Sequence, residues 1–111
     1  QGWTPDFIPL VLQEAIDNGL YDELLTVTGP DGIAWAKRLA REEGIFTGVS
    51  GGSSLSIGME VAKTAPEGSN ILCMLPDTGE RYLSTPLFDG IEEEMSQDEI
   101  TLSQSTPGYQ L

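Results

Sequence analysis

Histidine is absent from all 111 residues, which removes the commonest general base and the commonest metal ligand at once. Basic residues are nearly as scarce. Five lysines and arginines face eighteen acidic residues, for a formal charge of −13. Such a chain is repelled by phosphate backbones and anionic lipid surfaces, so nucleic-acid and membrane-surface binding are excluded as main roles. There is no run of eighteen apolar residues and no signal-peptide pattern, so nothing here is expected to span a membrane. The single cysteine, Cys73, has no partner for an intrachain disulfide, which suits a reducing compartment. It lies within the apolar run Asn70 to Leu75 and reads as a small core residue rather than a reactive thiol. The chain opens on glutamine, so a processed, cut or partial product is the expectation, and an N-terminal signal lost with the missing start stays possible.

What is present argues for one folded domain: 39% of residues are hydrophobic and 7% aromatic, with several periodic segments. Gly2 to Pro9 carries two prolines and two aromatics and reads as an ordered turn packed by its own large side chains. Leu10 to Asn18 places Leu12, Ala15 and Ile16 on one helical face before the stop signal Asn18-Gly19. Leu24 to Thr28 and Asn70 to Leu75 are short, continuous apolar runs of the kind found in strands covered on both faces, which points to a parallel sheet. Between them, Thr28 to Glu43 is the clearest helix. Pro30 and Asp31 sit at its start, Gly44 is placed for a left-handed cap, and Ile33, Ala36, Leu39 and Ala40 form an apolar stripe. Trp35 falls off that stripe, so it either meets an element this chain does not contain or stays half-exposed. Lys37, Arg38 and Arg41 share this helix with Glu42 and Glu43 and read as a solvated face. Pro76 to Gly79 ends the second apolar run. Downstream of Phe88, the segment IEEEMSQDE reads as a short helix or a solvated run, and TLSQSTPGYQL as a frayed end.

The centre of the chain is Gly44 to Thr64, where an apolar run enters a Gly/Ser loop and leaves as a helix. Gly48, Gly51 and Gly52 permit a close backbone approach, and Ser53 or Ser54 is placed to cap the helix that carries Ile57, Val61 and Ala62. Ser50 would then stand beside the positive helix end, a setting for a polar or anionic ligand group. Three readings compete. Gly48 to Gly52, GVSGG, fits the G-x-S-x-G nucleophile elbow, but the pattern has no histidine to pair with. Its only lysines, Lys37 and Lys63, both fall in predicted helices. The second reading is a ligand-free Gly-rich connection; the third is a cofactor contact. Alternating strands and helices form βαβ units whose ligands gather beyond the strand ends, so the Ser50 loop and the PDTG loop are expected to share a crevice.

With GIFTGVSGGSS followed by LPDTGERYLSTPLF, and with QGWTPDFIP and AKRLAREEGIFTGVS, the chain resembles the C-terminal third of the cysteine synthases, the O-acetylserine sulfhydrylases. Cystathionine β-synthase is a member of the same class. The likeness runs from Gln1 to about Phe88, and GERYLSTPLF is its most specific piece. It implies an α/β fold, a partial three-layer parallel sheet with flanking helices of the tryptophan-synthase-β-like type (fold type II). Residues 1–111 would form the C-terminal part of the large pyridoxal-phosphate-binding domain, with an ordered core of about 1–88 and an acidic, polar tail at 89–111. It implies pyridoxal 5′-phosphate as cofactor, with Ser50 on the turn that hydrogen-bonds its pyridine nitrogen. It implies β-replacement on O-acetylserine by sulfide to give cysteine, a cytoplasmic homodimer, a small amino-acid substrate and serine acetyltransferase as a partner.

The family's Schiff-base lysine and phosphate cradle precede the stretch that Gln1 opens, so no catalytic residue is assigned here and the chain alone is expected to be inactive. No metal site is expected. The family's GIGAG-type turn reads GWTPD here, and Asp77 stands where many relatives have serine. Neither Asp77 nor Thr78 is given a catalytic role. The alternatives are a paralogue using another β-substituted serine, including a cystathionine-forming one, and a non-catalytic interaction or regulatory module built on this fold.

Overall fold

The computed structural model describes residues 6–106 and Gly108. Four helices follow in order: α1 (Leu10–Asp17), α2 (Gly29–Glu43), α3 (Val49–Ala62) and α4 (Gln97–Ser103). Between α3 and α4 lie two one-turn 3-10 helices, Gly79–Tyr82 and Pro86–Phe88.

The local signals that start and stop α2 act as the sequence predicts. The Thr28 hydroxyl accepts from the Asp31 amide at 3.2 Å, Pro30 occupies the first turn, and Asp31 places its charge at the positive end. Gly44 closes the helix at φ 70°, a left-handed geometry that a Cβ disfavours, and its N–H returns to Ala40 and Leu39. α1 likewise ends at Asn18, whose side chain and amide both bond the Glu14 carbonyl, with Gly19 at φ 60°. α4 opens on a capping box in which Ser96 and Glu99 satisfy each other's backbone amides. The expected frayed end therefore begins later, because Thr101 to Ser103 form the last turn of this helix.

The core is the crossing of α2 on α3. It is built from small residues: Gly32 and Ala36 on α2 meet Gly52 and Ser53 on α3, and backbones this close leave no space for a Cβ at either glycine. Leu39 and Leu87 are the larger apolar side chains buried beside it, and the ring of Phe88 meets Phe46 edge-on at 5.7 Å. The α2 stripe is only partly covered, since Ile33 and Ala40 are half-buried. Trp35 is half-buried as well, with the Arg38 guanidinium 4.4 Å over its ring. Arg38 also pairs with Glu42 at 2.9 Å in full view of solvent, as expected of a solvated face.

The expected partial parallel sheet is not formed. Among the described residues there is no strand, and the one β-bridge, Thr47 with Thr78, is antiparallel. The physical reason is that a strand exists only when a neighbour offers donors and acceptors in register. Leu24–Thr28 and Asn70–Leu75 are each without such a neighbour, and their side chains stand open, with Leu24 81% and Leu72 94% exposed. Nor is the expected turn at Gly2 to Pro9 packed by its own side chains where it is described, because Phe7 and Ile8 are exposed. The remainder of that turn, Gly2 to Pro5, lies outside the described residues. The radius of gyration is 18.4 Å, whereas a compact chain of this length has about 13 Å. The apolar surface that the sequence reserves for a core is thus only partly covered.

Candidate functional site

α3 begins one residue before Ser50. Its N-cap is Gly48, with extended backbone and no capping side chain, so the expectation of a Ser53 or Ser54 cap does not hold. Ser53 is instead buried within the helix against Gly32, which diverts its hydroxyl from the helix end. Ser50 is accordingly a residue of the first helical turn rather than of a loop before it. The sequence pattern places Ser50 in a loop between a strand and the helix; it stands instead within the helix, in the turn whose N–H groups have no intrahelical partner.

The PDTG loop is brought to the same place, though not by a sheet edge. Thr47, 2% exposed, donates its hydroxyl to the Asp77 carbonyl at 3.1 Å and bridges to Thr78 through the backbone. The Thr47 side chain rests on Gly51, where a Cβ has no space. Together the two segments and the start of α2 line a cavity of about 710 Å³ that includes Val27, Ser50, Ser53, Asp77, Arg81 and Tyr82.

Asp77 and Tyr82 were not assigned a role from sequence, and their geometry is the most specific feature of the cavity. The Tyr82 hydroxyl donates to Asp77 Oδ2 at 2.5 Å. That acceptor, helped by burial, holds the phenol above its ordinary pKa, so Tyr82 remains a donor at neutral pH. The other carboxylate oxygen, Asp77 Oδ1, is buried and has no hydrogen-bond partner. It lies against Gly48, and a Cβ there would meet both Oδ1 and the Tyr82 ring. The signal available in the sequence was an aspartate directly after an apolar run with a tyrosine five residues on. Nothing in a single sequence says that one of its oxygens ends up unpaired.

Gly48→Ala should therefore break the Asp77–Tyr82 pair. The expected result is a loss of about 1–3 kcal/mol, typical of overpacking, together with a fall of the Tyr82 phenol pKa toward its ordinary value. Denaturant unfolding and an ultraviolet tyrosine titration read the two effects. An unchanged titration would mean that Gly48 does not hold the pair in place.

Cys73 is half-buried, its sulfur packed against Gly58 of α3. It forms one wall of a groove of about 400 Å³ between the two extended segments, with Leu25, Val27, Ile57 and Val61 around it. The lysines stand away from Ser50: Lys37 donates to the Asp89 carbonyl at 3.0 Å and Lys63 pairs with Glu60 at 2.6 Å. Among the described residues no helix is long and apolar enough to cross a membrane.

No protein-family model matches the chain. Individual proteins do. It is 48% identical over 93 residues to O-ureido-L-serine synthase of Streptomyces lavendulae, covering 84% of this chain and 28% of that protein. It is 41% identical over 90 residues to a probable cysteine synthase of Bacillus subtilis, covering 81% of this chain and 28% of the relative. A Staphylococcus aureus cysteine synthase is 38% identical over 88 residues, or 79% of this chain and 27% of the other. The crystal structure of O-ureido-L-serine synthase superposes with a TM-score of 0.76 at 46% identity, over 92% of this chain and 31% of that one. A mutant of the same synthase with O-ureido-L-serine bound gives 0.75. The proteins that the chain matches are synthases of cysteine and of O-ureido-L-serine. The chain is a homologue of O-ureido-L-serine synthase and the cysteine synthases, and it spans less than a third of the length of each.

Proposed function

We propose that this chain is the C-terminal portion of a pyridoxal-phosphate-dependent cysteine synthase, in which Ser50 hydrogen-bonds the pyridine nitrogen of the cofactor. The observation that carries the reading is the placement of Ser50: first turn of α3, hydroxyl-bearing wall of a cavity of about 710 Å³. That volume is within the usual range for small-molecule sites. The residues present fit the group. Gly29 leaves part of the wall free of a Cβ, the α3 N–H groups and Ser50 supply donors, and Val27 and Val49 supply an apolar surface for a ring.

When bound, pyridoxal phosphate supplies the electron sink for β-replacement on O-acetylserine by sulfide. The part played by this chain is positional. Ser50 fixes the ring edge, the Thr47–Asp77 bond keeps the PDTG loop closed over the same cavity, and Tyr82 anchors Asp77. The Schiff-base lysine and the phosphate cradle are supplied by the part of the relatives' length that this chain does not span. The second reading, favoured by the 48% identity to O-ureido-L-serine synthase, is that the product is a different β-substituted alanine such as O-ureido-L-serine. A homodimeric, cytoplasmic enzyme able to engage serine acetyltransferase accompanies the first reading, and the unpaired Cys73 is consistent with a reducing compartment.

Ser50→Ala tests the assignment in the assembled protein, meaning this chain together with the portion its relatives carry besides. Removing one hydrogen bond should weaken pyridoxal-phosphate binding about two- to tenfold without unfolding the protein. Absorbance titration with the cofactor measures it. Unchanged affinity would make Ser50 a structural residue of a tight turn, and the amino acid released from O-acetylserine identifies the nucleophile.

A further inference from the structure

The cavity that Ser50 lines has one cation in its wall, Arg81, on the 3-10 helix Gly79–Tyr82. Eighteen acidic residues accompany five basic ones in this chain, so a positive side chain is expected to find a carboxylate. Three are engaged on the surface: Lys37 donates to the Asp89 carbonyl, Arg38 pairs with Glu42 and Lys63 with Glu60. Arg41 borders a notch of about 70 Å³, well below the volume of a small-molecule site. Arg81 makes no ion pair among the described residues. The acids of its own loop are occupied elsewhere. Glu80 does not line the cavity, and the Thr78 hydroxyl bonded to its carboxylate holds it below the ordinary carboxylate range. Asp77 does line it, but Tyr82 donates to its Oδ2, and Oδ1 is buried against Gly48. The hydroxyls of Thr28 and Thr85 on the same wall are spent too, donating to Asp31 and to the Tyr82 carbonyl. The Asp77 hydrogen bond and burial raise the Tyr82 phenol pKa, and the Arg81 charge works against them, so the guanidinium stands within electrostatic reach of that ring. What Arg81 brings to the cavity is a fork of five donors that no carboxylate of the described chain takes up.

We propose that Arg81 makes a carboxylate subsite in this cavity, occupied by the acetate released from O-acetylserine. The identity of the anion rests on the cysteine-synthase reading above and deepens it. In that reaction the Cβ–O bond breaks with its electron pair on acetate, and the electron pair of hydrosulfide forms the Cβ–S bond. One monoanion enters and one leaves. The planar guanidinium matches the two oxygens of a carboxylate, which it can bond in parallel. A phosphate dianion suits the place less well, because Asp77 already sets one negative charge against Arg81 and the lining holds no second cation.

The test is direct binding to the assembled protein, with acetate and its neutral isostere acetamide as probes, read from the relaxation of each probe's methyl protons. Absorbance titration with pyridoxal phosphate runs beside it. The parent should bind acetate about tenfold or more tighter than acetamide. Arg81→Gln should remove that preference by weakening acetate about tenfold, and Arg81→Lys should keep part of it. Acetamide and pyridoxal phosphate should stay within about twofold in both variants. Arg81 is exposed, so neither substitution is expected to disturb folding, and a urea transition checks this. Acetate binding of equal strength in the parent and Arg81→Gln overturns the subsite, as does a parent that does not prefer acetate to acetamide. A loss of pyridoxal-phosphate affinity with acetate unchanged would assign the guanidinium to the cofactor's phosphate and overturns it too. A parent that binds acetate through Arg81 yet takes up no pyridoxal phosphate supports the subsite and removes the cofactor reading.

Discussion

Supplied with O-acetylserine, sulfide and pyridoxal phosphate, the 111-residue chain alone should form no more cysteine than the cofactor does by itself. The cavity explains why. Its ionisable lining is Asp77, Arg81 and Tyr82, with no histidine and no lysine among them. Lys37 and Lys63 are each engaged elsewhere on the helix surfaces. The isolated chain should also unfold with little cooperativity, since among the described residues the buried apolar side chains are Ala36, Leu39 and Leu87 and the radius of gyration is well above that of a compact domain. Adding the complementary portion of a relative should change both readouts together: a steep denaturant transition appears, and with it turnover. Turnover by the chain alone above the cofactor-only control would refute the partial-enzyme reading.

The second large effect concerns Gly52, where α3 crosses α2. A side chain there runs into the Gly32 carbonyl and the backbone and Cβ of Ala36, none of which is a flexible tip that can turn aside. Gly52→Val should therefore force the helices apart at a cost of about 3 kcal/mol, the upper end of ordinary overpacking. Because Ser50 is two residues away on the same helix, pyridoxal-phosphate binding should fall with stability. Gly29→Ala is the control: that position has open space around it, and stability should change by less than about 1 kcal/mol. Urea unfolding of the two variants in the assembled protein separates them. Equal stabilities would show that the crossing is looser than its geometry indicates.

The candidate site was legible in part. The Gly/Ser stretch announced a helix start with a hydroxyl beside it, and Ser50 is in the first turn of α3. Local preference for serine at an N-cap points to Ser53 or Ser54 and ignores what a neighbouring helix demands: Ser53 is buried against Gly32, and Gly48 opens the helix instead. Asp77 had no assigned role, since its consequence depends on contacts with Gly48 and Tyr82 that no spacing rule reveals. The apolar runs at Leu24–Thr28 and Asn70–Leu75 do not pair as the sheet strands their sequence suggests. Their composition is that of strands, but pairing is a property of two chain segments, and neither has its neighbour here.

By itself, then, the amino-acid order determined what short-range chemistry can determine. Thr28, Pro30, Asp31 and Gly44 bound α2, Asn18 and Gly19 end α1, and eighteen acidic against five basic residues set a formal charge of −13. These outcomes depend on interactions within about one helical turn or on net charge, and they survive whatever surrounds them. The tertiary structure decided which glycines carry the helix crossing, that the Ser50 and PDTG segments meet through Thr47, and that one oxygen of Asp77 is left without a partner. Each of these requires residues roughly twenty to thirty positions apart to be placed within a bond length of contact, and only packing does that.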